Sequence, residues 1–287
     1  MNKSTSGNKL HIARWLLIGL YLISTLVFGG QMEHSTGQLF LLGSTLVLMH
    51  APKRYGWKGT FIFIATAYIV STILEDMSIR TGFPFGNYHY TLGGLHIDQV
   101  PALVGPVYIA VGYMSWTIGS IILDHADKHL DKKFNLIALP AVSAFIMCQF
   151  DLVQDPLTST FDGIWIWENA GGIFGVPLVN FLGWYLTCYL FMQIFAIYLS
   201  KNSQIIIESG DTEKKSYWLQ PVIFYLLIGL SYIGHYLHQV NSDEVITDLA
   251  GNVWGVANLH ETAVGIMLFT MLYSVVLATV RLFKPKQ

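Results

Sequence analysis

The chain has 287 residues, of which 53% are hydrophobic and only 12% charged, about half the charged share of a soluble domain. So much apolar surface excludes both a disordered chain and an ordinary water-soluble enzyme. The net charge of −2 leaves no electrostatic footprint for nucleic acid, and Cys148 and Cys188, both inside apolar runs, make neither a disulfide framework nor a metal-type spacing.

Crossing a bilayer's hydrocarbon takes roughly 20 mostly apolar residues. Eight runs are candidates, in chain order 15–30, 38–51, 60–76, 100–123, 134–151, 174–199, 217–238 and 259–281. The first holds Tyr21 in its core and is followed by no small-residue cleavage site, so it reads as a span and not a signal peptide. The second is short and interrupted by Gly43 and Ser44, and basic residues decide in its favour. They fall in five groups of three: Lys3, Lys9, Arg14; Lys53, Arg54, Lys58; Lys128, Lys132, Lys133; Lys201, Lys214, Lys215; Arg281, Lys284, Lys286. Only Arg80 lies in the intervening connections, and deleting the second span would break this alternation. The positive-inside rule then predicts an all-α polytopic bundle of about eight spans in the cytoplasmic membrane, one domain over residues 1–287, with both termini cytoplasmic.

Acidic residues lean the other way. Glu33, Glu75, Asp76, Asp98, Asp151, Asp155, Asp162, Glu168, Asp243, Glu244, Asp248 and Glu261 fall on the expected non-cytoplasmic side or at span ends facing it. Acids hardly influence topology, so their crowding needs a cause beyond it.

Two connections on that side stand out. ILEDMSIRTGFPFGNYHYTLGGLHIDQVP follows the third span and holds Glu75, Tyr88 and Tyr90. QFDLVQDPLTSTFDGIWIWENAGGIFGVPLVNFLGW follows the fifth and holds Asp151, Asp155, Trp165, Trp167, Asn180 and Trp184. Both are rich in Gly, Pro and aromatics, which predicts loops folded back against the bundle as a lid or re-entrant segment. Asp151 and Asp155, at i, i+4, share a helix face if the fifth helix reaches that far, and Pro156 predicts that it ends at Asp155. Two carboxyls at an apolar edge repel, so one is expected to keep its proton near neutrality and to be able to act as a general acid. Glu75, closing an apolar span, is the next candidate. Glu261 beside His260 is weaker.

The histidines give no shared metal centre. His125 and His129 lie at the basic side and His235 and His238 a bilayer away; His235, His238 and His260 can meet on the outer side, as hydrogen-bonded residues, as groups tuning the acids, or as a metal site. A magnesium–diphosphate transferase would need cations to hold the diphosphate, and the acidic side offers one arginine, so the substrate is expected to be uncharged.

TGFPFGNYHYT, followed by VP at 100–101, and then DLVQDP, WIW and FGVPLVNFLGW resemble the two signatures of a membrane carotenoid biosynthesis family that includes carotenoid 1,2-hydratases and bisanhydrobacterioruberin hydratase. The likeness covers roughly residues 70–190. It departs at Ser78, where the family pattern leads one to expect Gly. The resemblance implies a hydro-lyase that adds water across the terminal C-1,2 double bond of an acyclic carotenoid, with no redox cofactor; no residue is assigned to a metal. The polyene body is expected to lie among the spans, reached from the lipid, with other carotenoid-pathway enzymes as candidate partners. The residues suit that chemistry. Protonating C-2 of a weakly basic alkene needs a positioned acid, Asp151 or Asp155, with its partner or Glu75 orienting water. The tertiary cation at C-1 needs electron-rich walls, which Tyr88, Tyr90, Trp165 and Trp167 can supply, with Asn180 and Trp184 completing the substrate site. A cyclase, an isomerase or a His-metal oxygenase on a similar substrate is the rival within enzymes. A proton-coupled transporter or lipid-binding protein is the rival outside them. The latter predicts repeated halves, and residues 1–140 and 141–287 contain no convincing repeat.

Overall fold

A computed structural model describes residues 3–28, 37–208 and 210–285; Glu33 and the end of the first predicted span lie outside them. The described chain is mostly helical. Helix α1 spans Lys3–Phe28. A π turn, Leu39–Gly43, runs into α2, Ser44–Thr81. Then come α3 (Val104–Ile122), α4 (Lys133–Asp155), α5 (Leu178–Lys201), α6 (Lys215–Gln239), α7 (Val256–Phe269) and α8 (Met271–Phe283). Six stretches are long and apolar enough to cross a membrane: Asn8–Val27, Leu39–Thr81, Lys133–Phe161, Leu178–Lys201, Lys215–Gln239 and Val256–Phe283.

Each of the eight predicted runs falls on helix, with corrected edges. The predicted interruption at Gly43 and Ser44 is absent, because Gly43 packs against Ala110 and the turn passes directly into α2. The expected 52–59 loop shrinks to one non-helical residue, Gly56, inside α2. Residues 100–101 pair as a strand before α3 begins at Val104, and residues 174–177 form bridged turns before α5. The last run breaks at Thr270.

Burial follows the sequence. Every residue of α3 from Tyr108 to Ile121 is buried, as expected of a helix that is apolar on all sides. Gly105, Gly112 and Gly119, seven apart and so on one face, sit against Tyr68, Phe191 and Ser143; an added Cβ would collide at Gly105 and Gly119 and press on Phe191 at Gly112. The outer helices do the reverse. Leu16, Leu26, Phe134, Leu182 and Val280 are more than half exposed, a surface stable against lipid and costly in water.

At the end of the bundle carrying the basic groups, buried ion pairs tie loops to helices. Arg14 Nη2 meets Asp211 Oδ2 at 3.0 Å, and Arg54 Nε meets Asp127 Oδ2 at 2.8 Å. Burial alone would raise both carboxyls, but the arginines hold Asp127 and Asp211 below the ordinary carboxylate range.

At the other end the two long connections form a roof. Strand β1 (Tyr88–Tyr90) pairs antiparallel with β4 (Trp165–Trp167), Tyr88 opposite Trp167 and Tyr90 opposite Trp165. Alternation along a strand puts these four rings on one side and His89 and Ile166 on the other. The short strands β2 (His96–Ile97) and β3 (Val100–Pro101) pair within the first connection, and β5 (Val245–Thr247) pairs with β6 (Val253–Gly255) in the connection after α6. The first connection leaves α2 through Gly82, whose φ of 79° is the left-handed cap glycine favours. An alanine there takes on about 1–2 kcal/mol of backbone strain, and its Cβ would sit 2.7 Å from Asn87 Oδ1. Gly82→Ala is therefore expected to lower the melting temperature in detergent; an unchanged melt would contradict this reading of the turn.

Candidate active site

Beneath the β1–β4 ribbon lies a cavity of about 410 Å³. All nine residues singled out from the sequence line it: Glu75, Tyr88, Tyr90, Asp151, Asp155, Trp165, Trp167, Asn180 and Trp184. No Lys, Arg or His is among the described residues of its wall.

Asp151 and Asp155 are brought to the cavity by α4, one turn apart, and are 2% and 1% exposed. As predicted, α4 ends at Asp155, which keeps helical torsions. The chain does not turn away there, however: Pro156 opens a π turn, Pro156–Phe161, and stands at its first position, where a missing N–H costs least. Thr158 Oγ1 donates to the Gln154 carbonyl at 2.9 Å and Ser159 Oγ to the Asp155 carbonyl at 2.8 Å, satisfying acceptors that the changed winding frees. The roof connection is thus wound tightly onto the helix that carries the acids.

One amide joins the two carboxyls. Asn180, in the first turn of α5, donates through Nδ2 to Asp151 Oδ2 at 3.0 Å and also to Asp155 Oδ2. The indoles of Trp165 and Trp167 donate to Asp155 Oδ1 at 3.0 and 3.4 Å. Among the described residues Asp155 thus accepts three N–H donors and Asp151 one.

Glu75, 4% exposed, enters from α2 and is held, among the described residues, by three phenols. Tyr108 donates to Oε1 at 2.7 Å, Tyr90 to Oε2 at 3.1 Å, and Tyr88 also to Oε2. Burial first, then the neighbouring Glu75 charge, pushes the Tyr88 and Tyr90 phenols well above their ordinary pKa, so both remain donors. Tyr108 also stacks on Trp184, centroids 4.6 Å apart, and Tyr88 leans on Trp167 at 4.9 Å. Removing the Tyr108 donor alone, as Tyr108→Phe, leaves Glu75 with two phenols and the Trp184 stack intact. The expected result is a loss of activity of about tenfold, the size of one hydrogen bond to a charged group, with normal protein levels. Wild-type turnover would contradict a working role for this carboxyl.

Ser78, where the motif departs from Gly, keeps helical backbone and takes a structural task. Its Oγ accepts from the Phe85 N–H at 3.0 Å and donates to the Gly86 carbonyl at 2.9 Å, pinning the FPFG turn to α2. Sequence reasoning passed over Tyr108 and Gln154. Tyr108 could have been found as a phenol inside an apolar run, which needs a buried acceptor. Gln154 stands within DLVQDP itself; its Oε1 accepts from the Tyr232 hydroxyl at 2.6 Å, which fixes the amide at the cavity wall.

Several of the other acids, and one of the histidines, have local explanations. Arg80 pairs with Asp76 at 2.7 Å and with Asp98. Asp248 closes the turn between β5 and β6 by accepting the Ala250 and Asn252 N–H groups, both at 2.9 Å. Glu261 is exposed. His260 Nδ1 bonds the Val256 carbonyl at 2.9 Å and its ring meets Phe161 edge-on, which makes it a packing residue. Among the described residues no group of three or more His, Cys, Asp or Glu is arranged to hold a metal.

Compared with known families, residues 36–239 match the model of the carotenoid biosynthesis proteins, a wider stretch than the two motifs alone span. No curated protein and no solved structure matches the chain. With most of its length matched, both motifs in order, and those motifs folded into one cavity in a bundle fit to span a membrane, the chain belongs to the carotenoid biosynthesis protein family.

Proposed function

We propose that the protein is a cofactor-independent carotenoid hydratase, adding water across the terminal C-1,2 double bond of an acyclic end group. The observation that carries this reading is a set of three buried carboxyls in an aromatic cavity with no cation on its described wall. Such a set holds at least one proton, because three adjacent carboxylates without counter-charge are too costly to bury. A proton donor walled by π-systems and hydrocarbon is what an uncharged alkene requires.

The donor counts divide the roles. Asp155 and Glu75 each accept three hydrogen bonds, which favours their carboxylate forms, while Asp151 accepts one and is the better proton carrier. Asp151 delivers its proton to C-2, and the alkene's electron pair forms the new C–H bond, leaving a tertiary cation at C-1. The rings of Tyr88, Tyr90, Trp165 and Trp167 stabilise that cation through their π faces. Water attacks C-1 and gives up a proton to Asp155 or Glu75, and return of a proton to Asp151 closes the cycle. The net change is one water added, with no electrons gained or lost.

In this reading the single bundle crosses the cytoplasmic membrane eight times. The ion-paired end and both termini face the cytoplasm, and the roofed cavity lies at the outer lip. The polyene comes from the lipid. Expression in a lycopene-producing bacterium tests the function: pigments should gain the mass of one or two waters. Unchanged mass with an altered absorption spectrum would assign a cyclase or isomerase instead, and added oxygen without hydrogen would assign an oxygenase.

A further inference from the structure

We infer that the cavity takes in one end of the carotenoid and leaves the rest in the lipid, so that each reactive end is hydrated in a separate binding event. This rests on the hydratase reading and adds how the substrate is presented.

Volume is the first observation. At about 30 Å³ for each heavy atom, the share of a water molecule in the liquid, the cavity of about 410 Å³ holds on the order of 14 heavy atoms. That is just under three isoprene units, whereas a carotenoid chain has eight or more. Most of the molecule therefore remains outside while its end reacts.

The second observation is where the cavity opens. Its acidic end is closed: Asp151, Asp155 and Glu75 are almost wholly buried. Leu92 and Leu103 line the same cavity yet are 40% and 58% exposed, so the wall reaches the surface there. This mouth lies beside Val104 and Val107 on the first turns of α3 and Phe40 of the π turn, and all of these side chains are apolar. An apolar mouth holds a hydrocarbon chain in passage without asking it to cross water.

A consequence separates this arrangement from a tunnel that grips the whole molecule. Binding energy from remote parts of a substrate raises kcat only where the protein touches those parts. Here the far portion touches lipid, so truncating it leaves kcat nearly unchanged.

The test uses the full chain in lipid nanodiscs with two probes: a symmetric acyclic carotenoid, and a fifteen-carbon hydrocarbon ending in the same isolated trisubstituted alkene. The short probe should be hydrated with kcat within about tenfold of the carotenoid's, the margin of a single lost contact. With the carotenoid in large excess, singly hydrated product should accumulate first, and added fresh substrate should divert it from further reaction. Leu103→Trp, which narrows the mouth, should raise KM for both probes with little change in kcat. Hydration of the carotenoid but not of the short probe overturns the inference and leaves the hydratase reading standing. So does doubly hydrated product appearing from the earliest times, unaffected by fresh substrate. No hydration of either probe removes both.

Discussion

Asp151→Asn is expected to cut hydration by about 10²–10⁴-fold, the usual worth of a positioned general acid, while the protein accumulates in the membrane at its normal level. The substitution is nearly isosteric, and the new amide can turn its oxygen toward Asn180 Nδ2, preserving the 3.0 Å hydrogen bond. Asp155→Asn is a harsher test. Its single carbonyl oxygen cannot serve both the indoles and Asn180, so one buried donor is orphaned at about 1–3 kcal/mol in stability. Comparing the two variants by pigment mass and membrane yield separates lost chemistry from lost packing. Normal product from Asp151→Asn would refute its assignment as the acid, and normal product from both would end the proposal.

The largest expected loss of stability lies at the opposite end. Asp127 accepts Arg54 Nε at 2.8 Å and Nη2 at 3.1 Å, the Tyr55 hydroxyl at 3.0 Å and Ser120 Oγ at 2.8 Å, and is wholly buried. Arg54 also donates to the Ile207 carbonyl at 3.1 Å and lies over Trp218. Asp127→Ala leaves that guanidinium buried without a counter-charge, a change that costs about 3–5 kcal/mol. Denaturant unfolding in detergent should register it; a variant as stable as wild type would refute it. The pH dependence follows from the same pair. Asp127 is held below its unfolded value, so its contribution is complete above about pH 4 and fades as pH falls through the lower folded value. Acid should therefore weaken the wild type more than Asp127→Ala.

Much of the site was legible because its chemistry conflicts with its surroundings. Asp151 and Asp155 amid apolar residues, and Tyr88, Tyr90, Trp165 and Trp167 in what would otherwise be solvent loops, each break the local pattern, and all line one cavity. The helices were legible for the same reason in reverse, since apolar runs and basic groups alternate along the chain. What stayed hidden depends on three-dimensional company. Pro156 reads as a stop and the α-helix does end before it, but the π turn that follows is not announced. Tyr108 reads as one more ring in a greasy helix until Glu75 arrives opposite. Ser78 reads as a departure from motif until the Phe85–Gly86 backbone folds onto it. Each required knowing which distant segment is the neighbour, and no periodicity carries that.

The roof has one more consequence. Its two strands pair by register, Tyr88 with Trp167 and Tyr90 with Trp165, and the same four side chains anchor the ribbon to the carboxyls below it. Under the proposed reading, the ceiling both shapes the chamber that receives the pigment's terminus and, through its phenols and indoles, holds Glu75 and Asp155, so a change in selectivity there carries a change in the acids' environment with it.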